Sequence, residues 1–434
     1  GAHDPDFYEQ RLRAVLDAEV PFDSLCLKDA SGTCTPVIVH ETIKRMRKLT
    51  DKPISFHTHE TAGTSVLCIM SALEAGADTV DVSMAPVSGG TCSPDILTVW
   101  HALRGTDFVM DVNVDKVRET EEMLKEALKD YLLPPEATKV DPRVPWSPLP
   151  GGALTANTQM MRDNGILDKF PAVVDAMEEV VRKGGYGTSV TPVSQFYFQQ
   201  AFNNVMQGPW KKIAEGYGKM VLGYFGRTPH APDPEVVKIA SEQLGLPPTT
   251  ESPLAINDRN PNKQIAHFKQ ILADNALPET DENIFIAAAC GDKGINFLKG
   301  NGKIGVRYKK NPKAAVTSGN FDVQVNGKTY KASLDGDTVT VNGKKYTVTV
   351  GEAKAAAVAA STGAETAVTA PVPGTVMKLT VAVGDTVKKG QPVAMIEVMK
   401  MESPIPAPAD GTVSKITVQK GDQVKTGQTL MTLA

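Results

Sequence analysis

Leu25-Cys-Leu-Lys-Asp-Ala-Ser-Gly32 and Ile54-Ser-Phe-His-Thr-His59 decide how the first half of this chain is read. Each is a short apolar run, and each ends in a polar loop. Between them Pro36–Leu49 carries a helical pattern. A further cycle follows, with helical stretches over Thr64–Ala75 and Pro94–Leu103 and a strand over Thr79–Ser83. The first strand is read as Asp23–Lys28. Strands alternating with helices predict a parallel α/β layout from about residue 1 to 208. The loops Asp29-Ala-Ser-Gly32, Glu60-Thr-Ala-Gly63 and Pro86-Val-Ser-Gly-Gly90 each follow a strand. In a (β/α)₈ TIM-type barrel such loops form the C-terminal face, where active sites sit.

Working outward, Asp6–Ala18 is an amphipathic helix before the first strand. An α-rich region over residues 209–312, with helices at Pro234–Leu244 and Pro261–Asp274, follows the alternating part. At 434 residues the chain is too long for one core, so several domains are expected. A net charge of −4 with both signs dispersed argues against nucleic-acid binding. The five cysteines lack metal-type pairing and read as reduced thiols in a cytoplasmic protein. No apolar run approaches the roughly 20 residues of a membrane helix, so any membrane association has to come through a partner. The chain opens on Gly1, directly in a helical pattern, as the middle of a domain would.

The last third changes character. Residues 321–351 alternate polar and apolar positions around Asn326-Gly327 and Asn342-Gly343, a strong hairpin signal for a small β module, a candidate docking domain. Glu352–Ala367, rich in Ala, Thr and Ser, reads as a flexible tether. Residues 368–434 then contain an internal repeat. Gly374-Thr-Val-x-Lys378 returns as Gly411-Thr-Val-x-Lys415, and Val387-Lys-x-Gly-Gln391 as Val424-Lys-x-Gly-Gln428, an offset of 37 residues. Two copies of one short-strand unit imply a pseudo-symmetric all-β sandwich. Between the copies lies Glu397-Val-Met-Lys-Met-Glu402. A lysine at a hairpin tip on a rigid base suits a swinging arm, and the flanking Met399 and Met401 set Lys400 apart from an ordinary surface lysine.

In the α/β part, His57 and His59 occupy i and i+2 of one strand and share a face, so both can bind one ion. Neutral imidazoles suit Zn, Mn or Co. Lys28 ends the neighbouring strand. Taken by its chemistry alone it is either a lysine paired with Asp29 or, if carbamylated, an anionic oxygen ligand.

Residues 366–434 resemble a biotinyl carrier domain, whose attachment motif is Ala-Met-Lys-Met; here Val398 replaces the alanine. Residues 4–313 resemble the later part of a biotin-dependent carboxyltransferase domain of the pyruvate carboxylase and oxaloacetate decarboxylase α-subunit type. The fold that the resemblance implies is a partial (β/α)₈ barrel, an α-helical extension, a small β module and a C-terminal biotinyl (lipoyl-like) sandwich. It makes Lys400 the biotin attachment site, recognised with Met399 and Met401 by a biotin protein ligase. It makes carbamylated Lys28, His57 and His59 ligands of a divalent metal. In Val190-Thr-Pro-Val-Ser194 it makes Thr191 the residue that carries a proton between substrate and biotin. Gly89-Gly-Thr-Cys-Ser93 and Pro150-Gly-Gly152 also fit the family.

The implied activity is carboxyl transfer between carboxybiotin and a 2-oxo acid, pyruvate or oxaloacetate. The implied partners are a biotin carboxylase subunit or membrane decarboxylase subunits, in a homo-oligomer. The family's opening Arg-Asp-Ala-His-Gln-Ser strand, which supplies a fourth metal ligand, has no match. A fragment of a longer protein, inactive by itself, is therefore expected. Alternatives are an inactive biotin carrier and assembly scaffold, a 2-oxoglutarate carboxylase subunit, or a metal-dependent aldolase-type lyase, against which the carrier domain argues.

Overall fold

The computed structural model describes residues 2–302, 306–309, 318–325, 328–335, 338–341, 344–347, 366–398 and 401–434. Its first sheet is parallel, in the order β1 (Leu25–Asp29), β2 (Ile54–Thr58), β3 (Thr79–Val80). Helices α1 (Pro5–Asp17), α2 (Pro36–Leu49), α3 (Ser65–Glu74) and α4 (Ile96–Leu103) accompany these strands. The starts follow local chemistry: Asp4 accepts from Phe7 N at 2.9 Å, Asp95 accepts from Leu97 N at 2.9 Å, and proline opens α1 and α2.

Alternation along the strands sorts the side chains. Leu27, Ile54 and Phe56 are buried with Val39, Ile43, Met46, Cys68, Ile69 and Ala72 of the flanking helices. Cys26 and Lys28 are exposed on the opposite face, with Ser55 and His57 half-buried beside them. The Lys28–Asp29 pair considered above does not form, because consecutive strand residues point to opposite faces. Asp29 is buried and accepts instead from Thr33 N at 3.0 Å, Cys34 N at 3.2 Å and Thr58 Oγ1 at 2.9 Å. It fixes the turn out of β1 and ties it to β2.

Regular strand alternation does not continue to residue 208 among the described residues. After β3 the chain forms α5 (Val114–Leu128), α6 (Pro135–Thr138), α7 (Gly151–Asp163), α8 (Phe170–Lys183) and α9 (Val193–Gln207). Next come α10 (Glu215–Val221), α11 (Pro234–Leu244), α12 (Pro253–Asp258), α13 (Ile265–Asp274) and α14 (Asp281–Leu298). The helix expected over Pro261–Asp274 is divided, with a 3₁₀ turn at Pro261–Lys263 and Gln264 extended before α13. The central core joins α7, α8, α9 and α10 through Met161, Met177, Tyr197, Phe198, Phe202 and Tyr217, all fully buried. No helix among the described residues is long and apolar enough to cross a membrane.

Two compact units result. One holds Asp130–Leu132 and Val306–Glu365, the other the remainder, including Thr366–Ala434. In the smaller unit β4 (Ser318–Val325), β5 (Lys328–Asp335), β6 (Thr338–Val341) and β7 (Lys344–Thr347) form a four-stranded antiparallel meander. Val325 pairs with Lys328 and Val341 with Lys344. The Asn-Gly pairs between them lie outside the described residues, as does the expected tether up to Glu365. Thr366 and Ala367, placed in the tether above, instead open a strand.

Residues 366–434 form two antiparallel four-stranded sheets from β8 (Thr366–Thr369), β9 (Gly374–Leu379), β10 (Thr386–Val387), β11 (Pro392–Val398), β12 (Met401–Pro406), β13 (Gly411–Ile416), β14 (Gln423–Val424) and β15 (Thr429–Leu433). The orders are β10-β13-β15-β8 and β12-β11-β9-β14. Adding the 37-residue offset to β8–β11 gives β12–β15 and turns the first sheet into the second. The repeated residues do the same work in each copy. Asp385 accepts from Ala382 N at 2.8 Å and Asp422 from Gln419 N at 2.9 Å. Thr380 donates to Pro392 O and Thr417 to Thr429 O, both at 2.7 Å.

Asp29→Ala strands two backbone N–H groups and a buried hydroxyl at once. It should lower stability by roughly 3 kcal/mol or more, read as a fall in the denaturant midpoint.

Candidate active site

Register places Lys28 directly beside His57 at the C-terminal ends of β1 and β2. His59 follows one step beyond β2, and its ring approaches that of His57, with Nε2 atoms 3.1 Å apart. The remaining ring nitrogens are both occupied. His57 Nδ1 lies 2.8 Å from Asp81 Oδ2, and His59 Nδ1 lies 2.6 Å from the Thr91 carbonyl oxygen. A carboxylate and a carbonyl only accept, so both Nδ1 atoms carry hydrogen. When both rings are neutral, each presents a bare Nε2 lone pair towards the other, and a cation between them relieves the repulsion.

Burial holds the His59 pKa below its ordinary value, which disfavours a second proton on that ring. A divalent ion fits. With metal–nitrogen bonds of about 2.1 Å, nitrogens 3.1 Å apart subtend about 95° at a shared ion. The outer hydrogen bonds are those that orient ligating imidazoles. Among the described residues no three His, Cys, Asp or Glu side chains converge, so further ligands would have to be of another kind, such as Lys28.

The roles of three partners in this arrangement were not read from the sequence, although two of them lie in motifs quoted above. Asp81 follows β3 and orients His57. Thr91 lies in Gly89-Gly-Thr-Cys-Ser93, a loop anchored by Thr91 N to Ala137 O at 2.9 Å and by Glu60 N to Cys92 O at 2.8 Å. Gly151 opens α7 against the back of this loop. A methyl there would overlap the Thr91 carbonyl oxygen and lie 2.6 Å from His59 Nδ1. The Pro-Gly-Gly motif is thus explained by close approach: only glycine lets α7 seat the carbonyl that orients His59. The i+24 spacing of Asp81 from His57 carries no local signal; it follows from parallel pairing of β2 with β3.

Lys28 also lines a cleft of about 480 Å³ together with Tyr186, Thr188, Ser189 and Val190. Thr191 follows directly and is exposed just before α9, where its peptide bond to Pro192 is cis. The structure therefore brings Lys28, His57 and His59 together, and Val190, next to Thr191, lines the same cleft as Lys28. Met399 and Lys400 lie outside the described residues. Their neighbours Val398 and Met401 are register partners.

Similar known proteins include carboxylases and carboxyltransferases. The family model described as conserved carboxylase domain matches residues 144–356, the HMGL-like model matches 9–124, and the biotin-requiring enzyme model matches 366–433. The B subunit of pyruvate carboxylase from Methanocaldococcus jannaschii is 30% identical over 388 residues, covering 88% of this chain and 66% of that protein. The 5S subunit of methylmalonyl-CoA carboxyltransferase from Propionibacterium freudenreichii is 30% identical over 66% of this chain and 56% of its own length. The 2-oxoglutarate carboxylase large subunit of Hydrogenobacter thermophilus is 27% identical over 91% and 67%. The carboxyl transferase domain of Rhizobium etli pyruvate carboxylase shares the fold, with a TM-score of 0.59 at 21% identity over 80% of this chain and 62% of that one.

This chain belongs to the biotin-dependent carboxyltransferases of the pyruvate carboxylase type, with an HMGL-like barrel part and a C-terminal biotinyl domain. Biotin is the cofactor of that last domain, and carboxyltransferases of this family use a divalent metal. The chain spans 56 to 67% of the length of the three relatives named.

Removing or displacing the outer support should weaken ion binding while both histidines stay in place in the sequence. Asp81→Ala and Gly151→Ala are each expected to lower divalent-metal affinity about 10- to 100-fold by calorimetric titration.

Proposed function

We propose that this chain transfers a carboxyl group between biotin and a 2-oxo acid, with pyruvate and oxaloacetate as the acid pair. The paired Nε2 atoms of His57 and His59 carry this reading, because they form an ion-shaped site on a chain that also holds a biotin carrier domain. When bound, the ion supplies a Lewis acid for the keto oxygen and biotin supplies the mobile carboxyl carrier.

The chain's own residues do the rest. His57 and His59 hold the ion, with Lys28, once carbamylated, as the adjoining oxygen ligand. The exposure of Lys28 on the open face leaves its Nζ accessible to that modification. The cleft beside Lys28 receives the acid. Thr191, which follows Val190 of that cleft, holds the proton that moves between the substrate carbon and the biotin ring nitrogen. Lys400 anchors biotin, with Met399 and Met401 as the marks read by the ligase.

The partner is a biotin carboxylase subunit. The archaeal relatives, which are B subunits of pyruvate carboxylase, favour it over a membrane decarboxylase. The relative named 2-oxoglutarate carboxylase large subunit supports a second acid, 2-oxoglutarate, as the alternative substrate.

Lys400→Arg should abolish the streptavidin signal of the protein while leaving metal content unchanged. In the holoenzyme Thr191→Ala should retain biotin and metal and lose about 10²–10⁴ of the carboxyl-transfer rate. A biotin-free wild-type protein, or a Thr191→Ala variant with undiminished transfer, would refute the corresponding assignment.

A further inference from the structure

The loop between α9 and α10 is held with unusual completeness for a connection. Gln200, in the middle of α9, donates to Lys212 O at 3.1 Å and accepts from Ala214 N at 2.8 Å. Asn204 accepts from Trp210 N at 3.1 Å. Gln243 of α11 accepts from Ile213 N at 2.8 Å and donates to Lys211 O at 3.2 Å. Amide side chains from two helices therefore satisfy the backbone of residues 210–214, which explains why α9 carries Gln200 and Asn204 inside an apolar core.

What this rigid loop presents is Lys212, half-buried, with its Nζ donating to Ser403 Oγ at 2.7 Å. Burial lowers the Lys212 pKa, as expected for a cation answered by a neutral hydroxyl. Ser403 lies in β12, an edge strand of its sheet and three residues beyond Lys400. The apolar packing is continuous across the same junction, since Ile213, Ala214 and the α9 core belong to one buried cluster with Val398 and Ile405 of the sandwich.

We infer that the loop over residues 210–214, through Lys212, is the docking seat for the chain's own biotinyl domain, and that Ser403 is the carrier residue it grips. The inference rests on reading residues 366–434 as a carrier. Gln200 lies nine residues beyond Thr191, about 14 Å along the helical rise. Docking at this loop sets the attachment end of the carrier beside the helix that begins just after Thr191. Lys212 is thus a positioning residue: it touches neither substrate nor ion and places the arm along α9.

The test is amide transverse relaxation of the carrier residues in the full 434-residue chain. Docked, they relax with the large unit. Lys212→Glu should release them, with relaxation rates falling severalfold, and adding Ser403→Lys should restore the slow-tumbling behaviour by reversing the pair. Fast carrier tumbling in the wild type, unchanged relaxation in Lys212→Glu, or failure of the double variant to rebind would overturn the seat. A dependence on protein concentration would place the carrier on a second copy and equally overturn it. A streptavidin blot on the same samples separates the two readings: docking without biotin refutes the carrier role alone, and biotin without docking refutes only the seat.

Discussion

Two imidazoles that face each other through their Nε2 atoms form the constraint on which the α/β part is organised. The 3.1 Å approach of the Nε2 atoms is held from outside, by Asp81 on one ring and the Thr91 carbonyl on the other. Each support needs its own piece of fold. Asp81 arrives through the parallel pairing of β3 with β2. The Thr91 carbonyl arrives through a loop fixed to residue 137 and backed by the first residue of α7. The pairing of β1 with β2 adds Lys28 on the same face, while Asp29, one residue on, locks the turn from the other side of the sheet. A packed apolar layer under the sheet, with Phe56, Ile54 and Ile69, keeps these ends in register and so supports the contacts that orient the two rings.

The parts legible in the sequence were those with local signals. The helices at residues 36–49 and 234–244 follow from apolar periodicity opened by proline, and their observed bounds are the expected ones. The 37-residue repeat decided the sandwich because each short-range bond is made twice by the same residue types. His57 and His59 were visible because a strand puts i and i+2 on one face. What lay beyond reach was non-local. Asp81 looks like any strand-end aspartate until β3 pairs with β2. Gly151 is only one glycine of a Pro-Gly-Gly motif until α7 meets the Thr91 carbonyl. The sequence also suggested an Asp29 partner for Lys28, an error of face: adjacency in a strand separates side chains instead of joining them. The strands expected between residues 96 and 208 do not appear there among the described residues, where helices dominate instead.

The carrier imposes a different requirement. An arm that serves two sites must leave, so its docked contacts have to be adequate but weak. A lysine answered by a serine hydroxyl meets that need better than a lysine answered by a carboxylate, because a pair with both partners ionised holds more strongly and releases more slowly. Lys212 instead regains full hydration when the sandwich lifts away, and Ser403 exposes only a hydroxyl. The rigidity lies in the loop, through Gln200, Asn204 and Gln243, and not in the bond across the junction. Preorganising one partner reduces the ordering cost of each return without strengthening the grip that must be released. The buried amides of α9 therefore link the two halves of the function. The helix that follows Thr191 at one end also holds, along its length, the loop that receives the carrier.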